Sequence, residues 1–136
     1  MAADIIVAYP PNFEDIVAAF PIAREPGVIF SWGNSIYNPS NADIDGSLKA
    51  HEGEHGQQQL RMGILEWWGI YLINEDFRLT QEIPAHHAEY RFYCGTTKNS
   101  RHKEHMLEQC ARRLAGTLYG NMTSYQTARR LVRFGK

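Results

Sequence analysis

Residues 51–55 read His-Glu-Gly-Glu-His. On an α-helix, side chains four positions apart project from one face, about one turn from each other. His51 and His55 can therefore close on a single metal ion. Neutral imidazole and carboxylate are good zinc ligands, and a catalytic zinc site keeps one position for water. Glu52 points about 100° round the helix from His51. It is placed to act as general base on the water that the metal acidifies. This is the chemical logic of a His-Glu-x-x-His helix. The same five residues also fit the inverted His-x-x-Glu-His order, in which Glu54 is the alternative base. Gly53 decides nothing between the two.

The bland alternative is a solvated histidine pair, and a glycine in mid-helix costs about 1 kcal/mol relative to alanine. The metal reading gains from the stripe Leu48, His51, His55, Met62, which puts both imidazoles on the face turned to the core. A buried imidazole without a partner is costly, and a metal is a natural partner. Downstream carboxylates offer a third ligand: Glu75, Asp76, Glu82 and Glu89. Glu82, Ala85 and Glu89 share one helical stripe, where the small Ala85 allows close helix approach and Glu89 can support a ligand from behind. Tyr71, His86 and His87 are candidates to stabilise a transition state or to hydrogen-bond within the site. A second pair, His102 and His105, lies among Arg101, Lys103 and Glu104 and reads as surface.

The elements that must carry these residues follow from pattern. Residues 4–9 are short and β-branched, which predicts a strand. Asn12 caps a helix through Phe20. Val28 to Trp32 and Ser35 to Tyr37 read as strands joined at Gly33-Asn34. After a loop over 38–46, Ser47 caps the metal helix, which runs to Met62. Ile64 to Ile73 is an aromatic-rich helix. Phe77 to Tyr93 is helical, with a start near Thr80 or a kink imposed by Pro84. Ser100 to Leu118 is amphipathic through Met106, Leu107, Cys110 and Leu114, and Ser124 caps a last helix to Phe134. The fold class is α+β: a small N-terminal β-hairpin region, then a mainly helical body, read as one domain over 1–136.

The chain has 136 residues and a net charge of −1. That gives no reason to expect a nucleic-acid partner. Arg112, Arg113, Arg129, Arg130, Arg133 and Lys136 form a basic cluster late in the chain, read as a solvated helix face. No apolar run is long enough for a membrane span, and the acidic start of the chain is unlike a signal peptide. Cys94 and Cys110 read as buried apolar side chains of a protein in a reducing, cytoplasmic compartment.

Three stretches together resemble minimal gluzincin-type zinc peptidases, most closely small phage-encoded members. They are Trp32-Gly33-Asn34-Ser35-Ile36-Tyr37-Asn38-Pro39, Leu48 to Gln59, and Trp67 to Leu72 with Phe77 to Glu82 and Ala85. The likeness covers about Val28 to Tyr93. It implies a zincin-like (minigluzincin) fold, Zn2+ held by His51, His55 and Glu82, and Glu52 as base. Many gluzincins place an acidic residue four after the ligand glutamate; here His86 stands there, and Pro84 adjoins the ligand position. Two functions follow as expectations. One is a metallopeptidase that hydrolyses an amide bond in a peptide or protein substrate. The other is a phage virion structural or assembly protein whose zinc holds the fold and whose partners are other virion proteins, in the host cytoplasm or the virion.

Overall fold

The structure, a computed structural model, describes residues 3–136. Among the described residues it is α+β, with six α-helices and one small three-stranded sheet. The strands are β1 (Asp4–Ile6), β2 (Phe30–Trp32) and β3 (Ser35–Tyr37), in the order β1-β3-β2. β3 runs parallel to β1 and antiparallel to β2. Gly33 opens the two-residue β2–β3 turn at φ +58, which favours glycine. β1 and β2 are shorter than the sequence pattern suggests, because each pairs only where it meets three residues of β3.

Helix α1 (Phe13–Ala19) follows β1, and a 3-10 turn at Pro21–Arg24 leads to β2. Asn12 precedes α1 but its side chain caps nothing, and both its amide atoms are buried without a partner. The helix carrying His51 and His55 is α2 (Gly46–Met62), capped by Asp45 accepting from the Leu48 amide rather than by Ser47. Next come α3 (Ile64–Tyr71) and α4 (Glu75–Thr96). Pro84 neither starts nor ends α4. Asn74 caps it ten residues earlier by accepting from the Phe77 amide, and packing against α2 carries the helix through the proline. Such tertiary override of local propensity is common.

Helix α5 (Ser100–Leu114) stops four residues before its expected end. Gly116 breaks it, and a 3-10 turn at Thr117–Tyr119 closes on Gly120 at φ +75. Helix α6 (Tyr125–Phe134) is capped by Ser124 as expected. Cys110 is fully buried, whereas Cys94 is only partly so. No helix among the described residues is long and apolar enough to cross a membrane.

Two apolar clusters flank the α2–α4 layer. One joins Ile16, Val17 and Phe30 to Trp67, Trp68 and Tyr71 of α3. The other joins Leu107, Cys110, Ala111 and Leu114 of α5 to Ala128 and Val132 of α6. Between them, α2 buries no apolar side chain: its buried residues are Ser47, His51, His55, Gly56, Gln58 and Gln59. Met62, expected on the core stripe, is exposed. α2 is seated by polar and backbone contacts instead. A Cβ on Gly56 would lie 2.3 Å from the Gly33 carbonyl oxygen, so only glycine lets the helix touch the hairpin. Gln59 accepts from the Gly33 amide at 2.7 Å and donates to the Ser31 carbonyl at 3.2 Å.

Candidate metal centre

α2 presents His51 and His55, and α4 presents Glu82. All three are buried, and one ligand atom from each lies within 4.8 Å of the others. Ala85, fully buried, sits one turn beyond Glu82 where the helices approach. These buried groups can hold a metal ion. Glu75 and Asp76 are exposed in the first turn of α4, away from this cluster.

The outer nitrogen of each imidazole is committed. His51 Nδ1 lies 2.9 Å from Glu89 Oε1, and His55 Nδ1 lies 3.0 Å from Gln58 Oε1. Gln58 Nε2 donates to the Gln81 carbonyl at 2.9 Å, which turns its oxygen toward His55. Both partners accept, so each imidazole carries a proton on Nδ1. The Nε2 atoms then face Glu82, at 3.2 Å from Oε1 for His51 and 3.0 Å from Oε2 for His55. A lone pair aimed at a carboxylate oxygen at this range repels it unless a cation intervenes. Glu82 Oε1 has no hydrogen-bond partner. Ligand atoms around tetrahedral zinc, each about 2 Å from the ion, lie about 3.3 Å apart, and the Nε2–oxygen spacings match that. The donor set fits.

Electrostatics describe the same cluster without metal. Burial disfavours charge on His51, but hydrogen bonds to Glu82 and Glu89 outweigh it and raise the imidazole to about 10. Burial likewise pushes the Glu82 carboxyl up, yet His55 and His51 hold it well below the usual carboxylate range. Glu89 is also held low, by His51, His86 and Arg113 against its burial. In the metal-free protein, protons thus occupy the place between imidazoles and carboxylates that a cation would take.

A cavity of about 200 Å³ opens onto one side of this cluster, lined at its floor by His51, Glu52, His55 and Glu82. Glu54 does not line it. Glu52 is half-buried, and desolvation pushes its carboxyl up against the pull of His51 and His55. A carboxylate with raised proton affinity beside a cavity is suited to accept a proton.

Tyr71 donates its hydroxyl to Glu82 Oε2 at 2.6 Å. His86 is buried behind the cluster, outside the cavity, with Nε2 3.6 Å from Glu82 Oε1 and Nδ1 3.6 Å from Glu89 Oε1. Neither nitrogen has a hydrogen-bond partner. His51, His86 and Glu89 form a second close group, but it shares His51 with the first, and neither His86 nor Glu89 lines the cavity. His87 Nδ1 lies 2.7 Å from the Val132 carbonyl, away from the site. Glu89 occupies the supporting position that His86 leaves open, seven residues after Glu82 rather than four.

Two residues enter the site unannounced by the sequence. Arg113, read there as part of a solvated basic face, pairs with Glu89 Oε2 at 2.9 Å. Tyr119 lines the cavity with 6% exposure, its hydroxyl pushed well above the usual tyrosine value by burial and by Glu82. The one available signal was the glycine pair Gly116 and Gly120, which bends the chain back at Tyr119. The remaining basic residues stay outward: Arg112 pairs with Glu108 and Arg129 with Glu104. No protein-family model, curated protein or solved structure matches this chain.

Proposed function

We propose that the protein is a zinc-dependent, metallopeptidase-like amide hydrolase of zincin type, with His51, His55 and Glu82 as ligands and Glu52 as general base. One observation carries the reading: a buried His-His-Glu triad forms the floor of a cavity that Glu52 also lines. Zinc is favoured among cations by two imidazoles and a carboxylate in a small, closed-in donor set. When bound, it would supply Lewis acidity, polarising the amide carbonyl and acidifying the attacking water.

The chain's own groups do the rest. Glu89 and Gln58 fix the tautomer and orientation of His51 and His55, and Tyr71 holds one oxygen of Glu82. Glu52 takes the proton of the attacking water as its oxygen adds to the carbonyl carbon. The same carboxyl then passes that proton to the departing nitrogen as the C–N bond breaks. Tyr119, kept protonated by burial and by Glu82, donates a hydrogen bond to the oxyanion that develops.

The test is metal analysis followed by turnover of a quenched peptide library. Glu52→Gln should abolish turnover and retain zinc. A second reading, a phage virion assembly protein with structural zinc, is favoured by the size of the cavity. At about 200 Å³ it falls below the ~300–1,000 Å³ typical of ligand sites. Stoichiometric zinc, with no turnover by the wild-type chain on any amide substrate, would select that reading.

A further inference from the structure

The walls of the cavity carry information that its floor does not. Part of them comes from segments flanking the 28–93 stretch: Ile16 and Phe20 around α1, Ile22 in the following 3-10 turn, and Leu118 after α5, with Val28 and Trp68 between them. These six are apolar, and the polar atoms on the remaining wall are the uncharged hydroxyls of Ser31, Tyr71 and Tyr119. Among the described residues no lysine or arginine lines the cavity, and the carboxylates that do are Glu52 and Glu82 at the floor. Two wall residues are left open to solvent at the rim, Ile22 at 66% and Leu118 at 42% exposure.

These walls are fixed in place. Arg78, 5% exposed, donates to the Tyr71, Leu72 and Leu118 carbonyls at 2.9, 3.3 and 3.1 Å. Its guanidinium also lies 4.7 Å from the centre of the Phe20 ring. One buried cation thus ties the end of α1, the end of α3 and the 117–119 turn into a single frame. The frame encloses enough space for one side chain, not for a long ligand.

We infer that Phe20, Ile22 and Leu118 form a specificity wall, so that this site takes a peptide with one uncharged aliphatic or aromatic side chain beside the scissile amide. This rests on the hydrolase reading of the floor. Two chemical points give it direction. An apolar side chain gains by covering the open faces of Ile22 and Leu118. A lysine, aspartate or free C-terminal carboxylate gains no counter-charge from the walls and loses its hydration there.

The test uses the full zinc-loaded chain and a series of N-acyl amino-acid hydroxamates with leucyl, phenylalanyl, aspartyl and lysyl side chains, measured by calorimetry. Leucyl and phenylalanyl probes should bind about 10- to 100-fold more tightly than aspartyl and lysyl probes. Ile22→Asp, at an exposed position, should weaken the leucyl probe and strengthen the lysyl one, with zinc affinity as the control. Equal binding of all four probes, with zinc bound, overturns the wall and leaves the metal reading intact. Zinc bound but no probe bound overturns the wall as well, since the cavity then admits no ligand. Absence of zinc binding overturns the hydrolase reading, and the wall inference falls with it.

Discussion

Helices α2 and α4 meet through polar groups; α5 and α6 meet through apolar ones. The first pair buries His51, His55 and Gln58 against Glu82, His86 and Glu89. The second buries Leu107, Cys110, Ala111 and Leu114 against Ala128 and Val132. An apolar interface gains from being removed from water whatever else is bound. A buried polar interface is favourable only when every member is satisfied. In α2–α4 the accounting is incomplete: Glu82 Oε1 and both His86 nitrogens lack partners. This polar region is the one that faces the cavity, and a cation between the imidazoles and Glu82 would give Glu82 Oε1 its partner.

The largest effect should come from removing the residue on which both imidazoles converge. Glu82→Gln should abolish measurable zinc binding in a competition titration while leaving the helical signal from α5 and α6. The amide keeps the shape but loses the charge that offsets the ion. If Glu82→Gln binds zinc as tightly as the wild type, and Glu89→Gln does not, the cavity floor is assigned to the wrong turn of α4.

Metal removal sharpens the contrast without mutation. A ligand present at ~1,000 times its Kd adds about 4 kcal/mol to native stability, roughly 10–20 °C in Tm for a chain of this size. Chelation should lower Tm on that scale. Hydrogen exchange should accelerate in α2 and the facing turns of α4, not in α5 and α6. Uniform acceleration would show that the two regions are one cooperative unit. Zinc affinity should also climb with pH through neutrality. The His51 imidazole is raised to about 10, so below that pH a proton competes with the ion. Calorimetry in buffers of different ionisation enthalpy reads the proton released.

The opposite perturbation belongs to the apolar side. Leu114 is completely buried, and Leu→Ala in such a core costs about 2–5 kcal/mol. Leu114→Ala should lower Tm and leave zinc affinity in the folded protein within a factor of a few. A large loss of zinc affinity would mean that the α5–α6 core sets the ligand geometry.

Much of this contrast is readable from the chain. The four-residue spacing of His51 and His55, the Glu82-Ala85-Glu89 stripe and the amphipathic α5 depend on local periodicity, and the structure brings these residues together as that periodicity implies. What periodicity could not supply is partnership across distance. It suggested an apolar stripe on α2, whereas the helix is seated by Gly56 against Gly33 and by Gln59 against the hairpin. It allowed a helix start near Thr80 as well as a kink at Pro84, whereas Asn74 already caps a helix that runs unbroken through the proline. It ran α5 on to Leu118, and so hid the turn that brings Tyr119 to the cavity. It assigned Arg113 to solvent because nothing local marks a partner 24 residues earlier in the chain.

Arg113 and Glu89 provide the smallest effect and the most direct probe of how far the two regions are separate. Glu89 accepts from His51 on one oxygen and from Arg113 of α5 on the other, both at 2.9 Å. Glu89→Gln removes the charge that holds His51 in its tautomer, and changes of this kind typically cost ~10–100-fold in metal affinity. Arg113 acts one step further out, and its side chain is 48% exposed. Solvent screening places such a pair near the ~0–1 kcal/mol of surface ion pairs, not at buried-pair values. Arg113→Gln alone should therefore weaken zinc by less than about fivefold and lower stability by about 1 kcal/mol or less. The double variant gives the decisive number. If Arg113 acts on the metal only through Glu89, adding Arg113→Gln to Glu89→Gln should change zinc affinity no further, so the two effects are non-additive. Full additivity would mean that α5 influences the ligands by another route, and the polar and apolar regions would then be mechanically one.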